Sequence, residues 1–424
     1  MIELNFPNDV TSEGDFYNRR REWNEIYRTL RSRDRSPVVI LGERRIGKTS
    51  LQTVAAKRLE ADPDLRLEPL FLPFGSSLDS TERFALELLQ ALCDYAGLDV
   101  RESGLTDADG SLALGSFGEY ARALRSVVAE TGDREFLICV DEFDETLRKI
   151  EKSDEESGNR DAERLAGLVT YLTEQTQREG LPFRILFSMT AMPDTVADSF
   201  SSPFISSSTL VQLRPFSRTE MEEMVSGLLG PEVSVEPSAM DRLFELSGGH
   251  PYVTKLLLYC LLEPHDFEPW GQKVDEAAIN AAVDAAVDNT GAREAFGNLY
   301  RVWLGDLEKQ LFLLLAGRQL KGQAVVSREE LEVLGPGSIT AARRLDARGY
   351  LTPVGQLKGG PAGYRLQIEF LGHWLRHWER YEVEVDARLK EAARRLRRLS
   401  DPWESVEPAV VVTEKQLREL GLRP

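Results

Sequence analysis

Gly42-Glu-Arg-Arg-Ile-Gly47-Lys48-Thr49 directly follows the apolar run Val38-Val-Ile-Leu41, and a stretch with helical periodicity follows it. No other segment constrains the fold as strongly. A short apolar run bounded by Pro37 and Gly42 reads as a buried strand. A glycine-bounded loop with G-x-x-x-x-G-K-[ST] spacing turns several backbone N–H groups toward one point, where a Cβ would obstruct an incoming anion. The positive end of the next helix favours negative charge at that point. The spacing therefore predicts a phosphate cradle from Gly42, Glu43, Arg44, Arg45, Ile46, Gly47, Lys48, Thr49 and Ser50. Lys48 would reach the outer phosphates and the Thr49 hydroxyl would ligate Mg²⁺.

The residues on either side continue the alternation. Helical periodicity is expected over Arg19–Arg31, Thr49–Arg58, Thr81–Ala96, Phe117–Glu130 and Ala162–Glu179. Strand-like runs are expected at Leu67–Phe74, Phe136–Val140 and Phe183–Met189, with a loop over Ser103–Gly115. Glu151–Arg160 is so polar that it reads as a mobile insertion. Strand and helix alternating at this spacing predict an α/β fold, a mostly parallel sheet with helices on both faces. Residues 217–290 read as all-helical, and Phe296–Arg380 as helices with one short hairpin. Residues 381–424 read as a charged helical tail that includes Arg394, Arg395, Arg397 and Arg398. The expected organisation is a P-loop core over 1–215, a helical lid over 216–292, a winged helix over 293–380 and the tail.

Two further places bear on chemistry. Asp141-Glu142 ends the run Phe-Leu-Ile-Cys-Val. A carboxylate at that position holds Mg²⁺, and a neighbouring Glu orients or deprotonates an attacking water, so Asp141 joins Thr49 as a metal ligand and Glu142 is the candidate base. Asp144 and Glu145 read as members of a solvated helix face. Ser188 and Thr190 end the next strand; Thr190, or Ser188, is placed to sense a terminal phosphate or position water, beside ordinary strand-end hydroxyls as the alternative.

Charge limits the functional class. The 424 residues carry 70 Asp/Glu against 52 Lys/Arg, a formal charge of −18. Non-specific duplex binding is driven by Lys/Arg on phosphate, so a general DNA coater is excluded and a locally basic module is not. Cys93, Cys139 and Cys260 are far apart, which suits core packing in a reducing cytosol. The N-terminal decapeptide has no long apolar stretch, and no run reaches 18 apolar residues. Neither a signal peptide nor a membrane span is expected.

Together these motifs resemble the STAND branch of the AAA+-like P-loop ATPases and the archaeal-type ATPases close to it. The loop reads GERRIGKTSL, with the double Arg typical of that group. Phe16-x-x-Arg19-x-x-Glu22 matches the group's lead-in, with Asn18 where Gly is usual. FLICVDEFDE forms the acidic strand end, and Val211-x-Leu213-x-Pro215-Phe216 resembles the start of the helical lid. Gly248-Gly249-His250-Pro251-Tyr252 matches the lid's G-x-P motif, which also suits a helix C-cap with Pro opening the next helix. The resemblance implies ATP or ADP with Mg²⁺ as ligands. It places Arg19 near the adenine and His250, Pro251 and Tyr252 over the nucleotide. It also implies ATP hydrolysis, expected to be slow because no arginine ends the Ser188–Pro193 segment; Arg214 is a candidate finger, or a surface Arg.

Ser327 is expected to cap a short helix. Ser338–Arg348 falls where a recognition helix would lie, and Gly349–Leu366 supplies two wing strands with a turn at Lys358. Between Phe296 and Arg380 there are twelve Lys/Arg and eight Asp/Glu. That balance permits DNA contact through Arg343, Arg344, Arg348 and Lys358. Packing of the winged helix on the core, as a reporter of nucleotide state, is the other use. The expected function is a cytoplasmic nucleotide-driven switch that assembles with a protein partner or with itself, in signalling, regulation or prokaryotic defence. The alternative is a DNA-acting ATPase of the initiator or transposition-helper type.

Overall fold

A computed structural model describes residues 16–73, 79–103, 105, 115–153, 157–190, 207–231, 233–262, 273–319, 324–357 and 360–378. Lys358, the helical tail with its four arginines, and most of the 103–115 loop lie outside the described residues. The described residues group into two compact units that meet in sequence between Leu213 and Arg214.

The first unit is built on a five-stranded parallel sheet in the order β2-β3-β4-β1-β5. The strands are β1 (Val38–Leu41), β2 (Leu67–Phe71), β3 (Glu135–Val140), β4 (Phe183–Met189) and β5 (Thr209–Gln212). The helices are α1 (Arg20–Arg31), α2 (Lys48–Ala61), α3 (Thr81–Ala96), α4 (Phe117–Ala129), α5 (Phe143–Ser153) and α6 (Ser157–Glu179). A parallel sheet covered on both faces needs near-continuous apolar strands, and all seven residues of β4 are buried. Alternate residues feed two cores. Val39, Ile138, Val140 and Phe187 pack with Phe84, Leu88 and Phe143. Val38, Ile40, Leu137 and Leu186 pack with Ile26, Leu30 and Leu51. Local signals start and stop the helices. Ser80 caps α3, Gly97 ends it at φ 71°, and Ser116 with Glu119 forms a capping box on α4.

The register sets the site. β1 pairs with β4 from Val38↔Leu186 to Leu41↔Met189, and β3 pairs with β4 up to Val140↔Phe187. Thus β4 separates the strand that leads into the loop from the strand that leads into Asp141, and its end lies between the two. The polar segment expected as a mobile insertion is instead mostly helix, the end of α5 and the start of α6; residues 154–156 are outside the description. Helix formers such as Glu, Lys and Arg favour that outcome once both helices have apolar faces to bury. Cys93, Cys139 and Cys260 are buried, and burial pushes the Cys139 thiol up.

The second unit opens with α7 (Arg218–Leu229), α8 (Pro237–Ser247), α9 (Pro251–Leu262), α10 (Glu276–Asp288) and α11 (Thr290–Asn298). The segment expected as all-helical also contains a small parallel pair, β6 (Ser234–Val235) with β7 (Lys273–Val274). A winged helix-turn-helix follows: α12 (Asp306–Gln319), β8 (Val325–Ser327), α13 (Arg328–Leu334), α14 (Ser338–Ala347), β9 (Leu351–Leu357), β10 (Gly360–Leu366) and α15 (Glu369–Trp378). The expected hairpin β9–β10 gains β8 as a third, antiparallel strand in the order β8-β10-β9. Ser327 caps α13 in a capping box with Glu330. Trp374, Leu371 and Leu375 are buried; Tyr381 of the same expected stripe is not among the described residues.

Within this unit Arg242 of α8 grips Glu369 of α15 with both terminal nitrogens, at 3.0 and 3.1 Å. His373 hydrogen-bonds the same carboxylate, and with Arg242 it holds the Glu369 carboxyl at about 2 against the opposing effect of burial. A depressed carboxylate stabilises the fold at pH values above its unfolded value, and that contribution is lost as pH falls toward 2. Glu369→Gln is expected to cost about 1.5–3 kcal/mol at pH 7, the range for a hydrogen bond to a charged group. The deficit should narrow between pH 4.5 and 2.5 as the wild-type carboxyl takes up a proton. Urea unfolding of both proteins across that range checks it.

Candidate functional site

The loop after β1 is shaped by close packing. A Cβ on Gly42 would lie 2.8 Å from Ile46 Cγ2 and 3.0 Å from Leu213 Cβ. Gly47 sits at φ 99°, a conformation that L side chains rarely adopt, and it leads straight into α2. No side chain caps α2 and no acidic residue stands in its first turn, so its positive end is left for an external anion. Arg45 also takes a left-handed conformation, at φ 61°. Glu43 and Ile46 are buried under the loop. Ser50 is buried on α2.

Lys48 is buried, and its ammonium donates to the Gly42 and Glu43 carbonyls, each at 3.0 Å. Burial lowers its pKa, and Asp144, Glu43, Asp141 and Glu142 pull it back, Asp144 most of all. The Thr49 hydroxyl donates to Asp141 Oδ2 at 2.6 Å. Ser188 donates to Asp141 Oδ1, and the Glu142 amide donates to Ser188 Oγ at 3.1 Å. Glu142 is held at φ 50°, an uncommon conformation for a non-glycine residue and one that recurs at functional sites. Burial raises its carboxyl, with Arg44 and Lys48 opposing.

Arg19, expected near a nucleotide base, donates to the Ile46 carbonyl at 3.2 Å and pairs with Glu22 at 3.3 Å, so it braces the loop from behind. Thr190 is buried, and its amide donates to Asp144 Oδ1 at 3.0 Å. Asp144 and Glu145 do not form a solvated face. Asp144 is only 7% exposed, and Glu145 pairs with Arg44 of the loop at 3.4 Å and with Arg148 at 2.5 Å. The physical reason is position. They occupy the first turn of α5, which starts immediately beyond the strand end and faces the loop. Gln52 is a further residue that the sequence reading missed. Its amide nitrogen donates to the Val140 and Leu186 carbonyls at 3.1 and 2.8 Å, which ties α2 to β3 and β4. Its signal was a polar residue one helical turn after Lys48 on the inward face.

His250 and Pro251 belong to the second unit. His250 is buried, its amide bonded to the Ser247 carbonyl, and Pro251 opens α9. Gly248 ends α8 at φ 57°, and a Cβ on Gly249 would strike the Phe216 carbonyl. The helix C-cap with Pro at the next start is therefore present. Arg214 of this unit draws the raised Asp346 carboxyl back down, against burial as the larger effect.

In the winged helix Arg343 is exposed. Arg344 pairs with Glu308 at 3.4 Å, and the Arg348 guanidinium lies 5.3 Å from the Tyr350 ring centre.

The donor set around the loop suits a polyphosphate with a hard divalent cation. A glycine-lined cradle, an uncapped helix start and an ammonium face one point. A hydroxyl and a carboxylate oxygen already in contact supply the oxygen ligands that Mg²⁺ prefers. No helix among the described residues is long and apolar enough to cross a membrane.

No protein-family model and no curated protein matches this chain. Among solved structures, the Aeropyrum pernix ORC2 protein in ADPNP-ADP complexes aligns at a TM-score of 0.51 and 16% identity, over 87% of this chain and 97% of that one. The Aeropyrum pernix ORC1 protein in complex with DNA aligns at 0.45 and 16%, over 93% and 96%. Cdc6p from Pyrobaculum aerophilum aligns at 0.45 and 12%, over 91% and 97%. At this identity the likeness to ORC2 shows a shared fold: a P-loop parallel sheet flanked by helices, then a helical segment and a winged helix.

Proposed function

We propose that this chain is a nucleotide-dependent ATPase of the AAA+-like kind whose winged helix contacts duplex DNA. The observation that carries the reading is the convergence at one strand end of Lys48, the Thr49–Asp141 contact and Glu142. The nucleotide complexes of the similarly folded ORC2 protein support it. Lys48 binds the outer phosphates. Glu142, with a carboxyl raised by burial, orients the attacking water and accepts its proton. Thr190 and Ser188 hold the end of β4 against that reaction. Mg²⁺ held through Thr49 and Asp141 would neutralise charge on the phosphoryl oxygens.

Arg343 is the candidate DNA contact, exposed on α14 beside the wing. A second reading, the nucleotide switch with a protein partner, draws support from Arg344 and Arg348, which turn onto the chain's own Glu308 and Tyr350. One titration separates the two. Duplex DNA binding is followed by anisotropy at about 50 mM salt, where phosphate contacts are little screened. It is run with ATP, with ADP and with neither. Arg343→Glu is expected to weaken binding about tenfold and to reduce the salt dependence. Wild-type protein that ignores DNA in all three states, yet changes its elution volume between ATP and ADP, would return the partner switch.

A further inference from the structure

We propose that Asp144 is the counter-ion of Lys48 before a nucleotide arrives, so that it competes with the terminal phosphate for that ammonium and, through Thr190, couples the outcome to the end of β4. The inference rests on the nucleotide reading given above and goes further, because it assigns a role to a carboxylate that the proposed hydrolysis does not use.

The geometry leads there by steps. Both hydrogen-bond acceptors of the Lys48 ammonium are neutral loop carbonyls. A buried ammonium with only neutral acceptors needs an anion nearby to offset its lost hydration. Asp141 is already engaged by the Thr49 and Ser188 hydroxyls. Glu142 lies under the stronger influence of Arg44. Asp144 is buried in the first turn of α5 and exerts the largest attraction on Lys48. Its other partner is the Thr190 amide at 3.0 Å, at the end of the strand between β1 and β3.

A phosphate that takes up Lys48 brings negative charge toward the Asp144 carboxylate in a site shielded from water. Like charges so placed repel strongly. Asp144 therefore weakens binding, most for the nucleotide with the longest phosphate chain. As the ammonium turns to phosphate, Asp144 keeps Thr190 as its remaining partner, and this links occupancy to β4.

The test is calorimetric binding of MgATP and MgADP to the full chain and to Asp144→Asn, Asp144→Ala and Lys48→Ala, with melting curves for each. Asparagine keeps an oxygen for the Thr190 amide and removes the charge. It is expected to bind MgATP about tenfold tighter and MgADP only about two- to threefold tighter. Alanine should also bind MgATP more tightly but lose more turnover than asparagine, because Thr190 loses its acceptor. A purely structural Asp144 would give weaker binding in both variants. Asp144→Asn that binds MgATP no better than wild type, while Lys48→Ala loses binding, overturns the inference and leaves the nucleotide reading standing. Lys48→Ala with wild-type affinity overturns both. If alanine does not fold, asparagine alone decides.

Discussion

Lys48→Ala is expected to lose MgATP affinity by at least about a hundredfold, because truncating one partner of a buried, hydrogen-bonded charge contact costs about 2–5 kcal/mol. The ammonium is the one cation held by the loop's own carbonyls, at 3.0 Å from both Gly42 O and Glu43 O, and it lies among four carboxylates that would repel a polyphosphate. Without it, the remaining attraction comes from the loop amides and the start of α2. Calorimetry on wild-type and variant protein, with melting curves in the absence of nucleotide, reads the loss apart from any change in folding. Retained affinity would mean that the loop is only a strand-to-helix turn.

Glu142→Gln is expected to lower ATP turnover by about 10²–10⁴-fold, the range for removing a positioned general base, while MgATP binding stays within a few-fold of wild type. The glutamine keeps the size of the side chain and the left-handed backbone at φ 50°, with the amide still bonded to Ser188. Only the proton acceptor is lost. Single-turnover phosphate release measures the rate, and calorimetry measures the binding. A variant with unchanged turnover would point to a nucleotide-binding scaffold that scarcely hydrolyses, with Lys48 still needed for assembly.

Much of this site was legible in the linear chain because its residues are local to one loop and one strand end. G-x-x-x-x-G-K-T spacing needs no tertiary information, since the strand, the tight turn and the helix start are consecutive. The same holds for Asp141-Glu142 after five apolar residues, and for the caps at Ser80, Ser116 and Ser327, where an oxygen bonds an amide three residues on. Strand limits were less legible. β5 has only Thr209–Gln212, with Leu210 exposed, so no long apolar run announces it. β6, β7 and β8 are two or three residues long and form only because a partner strand lies alongside.

Sequence alone determined the fold class and the phosphate loop, because hydrophobic periodicity and glycine spacing act over a few neighbouring residues. The tertiary structure decided where the acidic residues face. Asp144 and Glu145 have the composition of a solvated helix turn. The insertion of β4 between β1 and β3, with α5 starting beside the loop, turns them toward Lys48, Thr190 and Arg44. It also decided which winged-helix arginines meet solvent, since the ion pair of Arg344 with Glu308 and the stacking of Arg348 on Tyr350 depend on helices and strands far apart in the chain. Burial and charge pairing arise from contacts that are distant in sequence, so residues of one composition acquire different chemistry only when the chain closes around them.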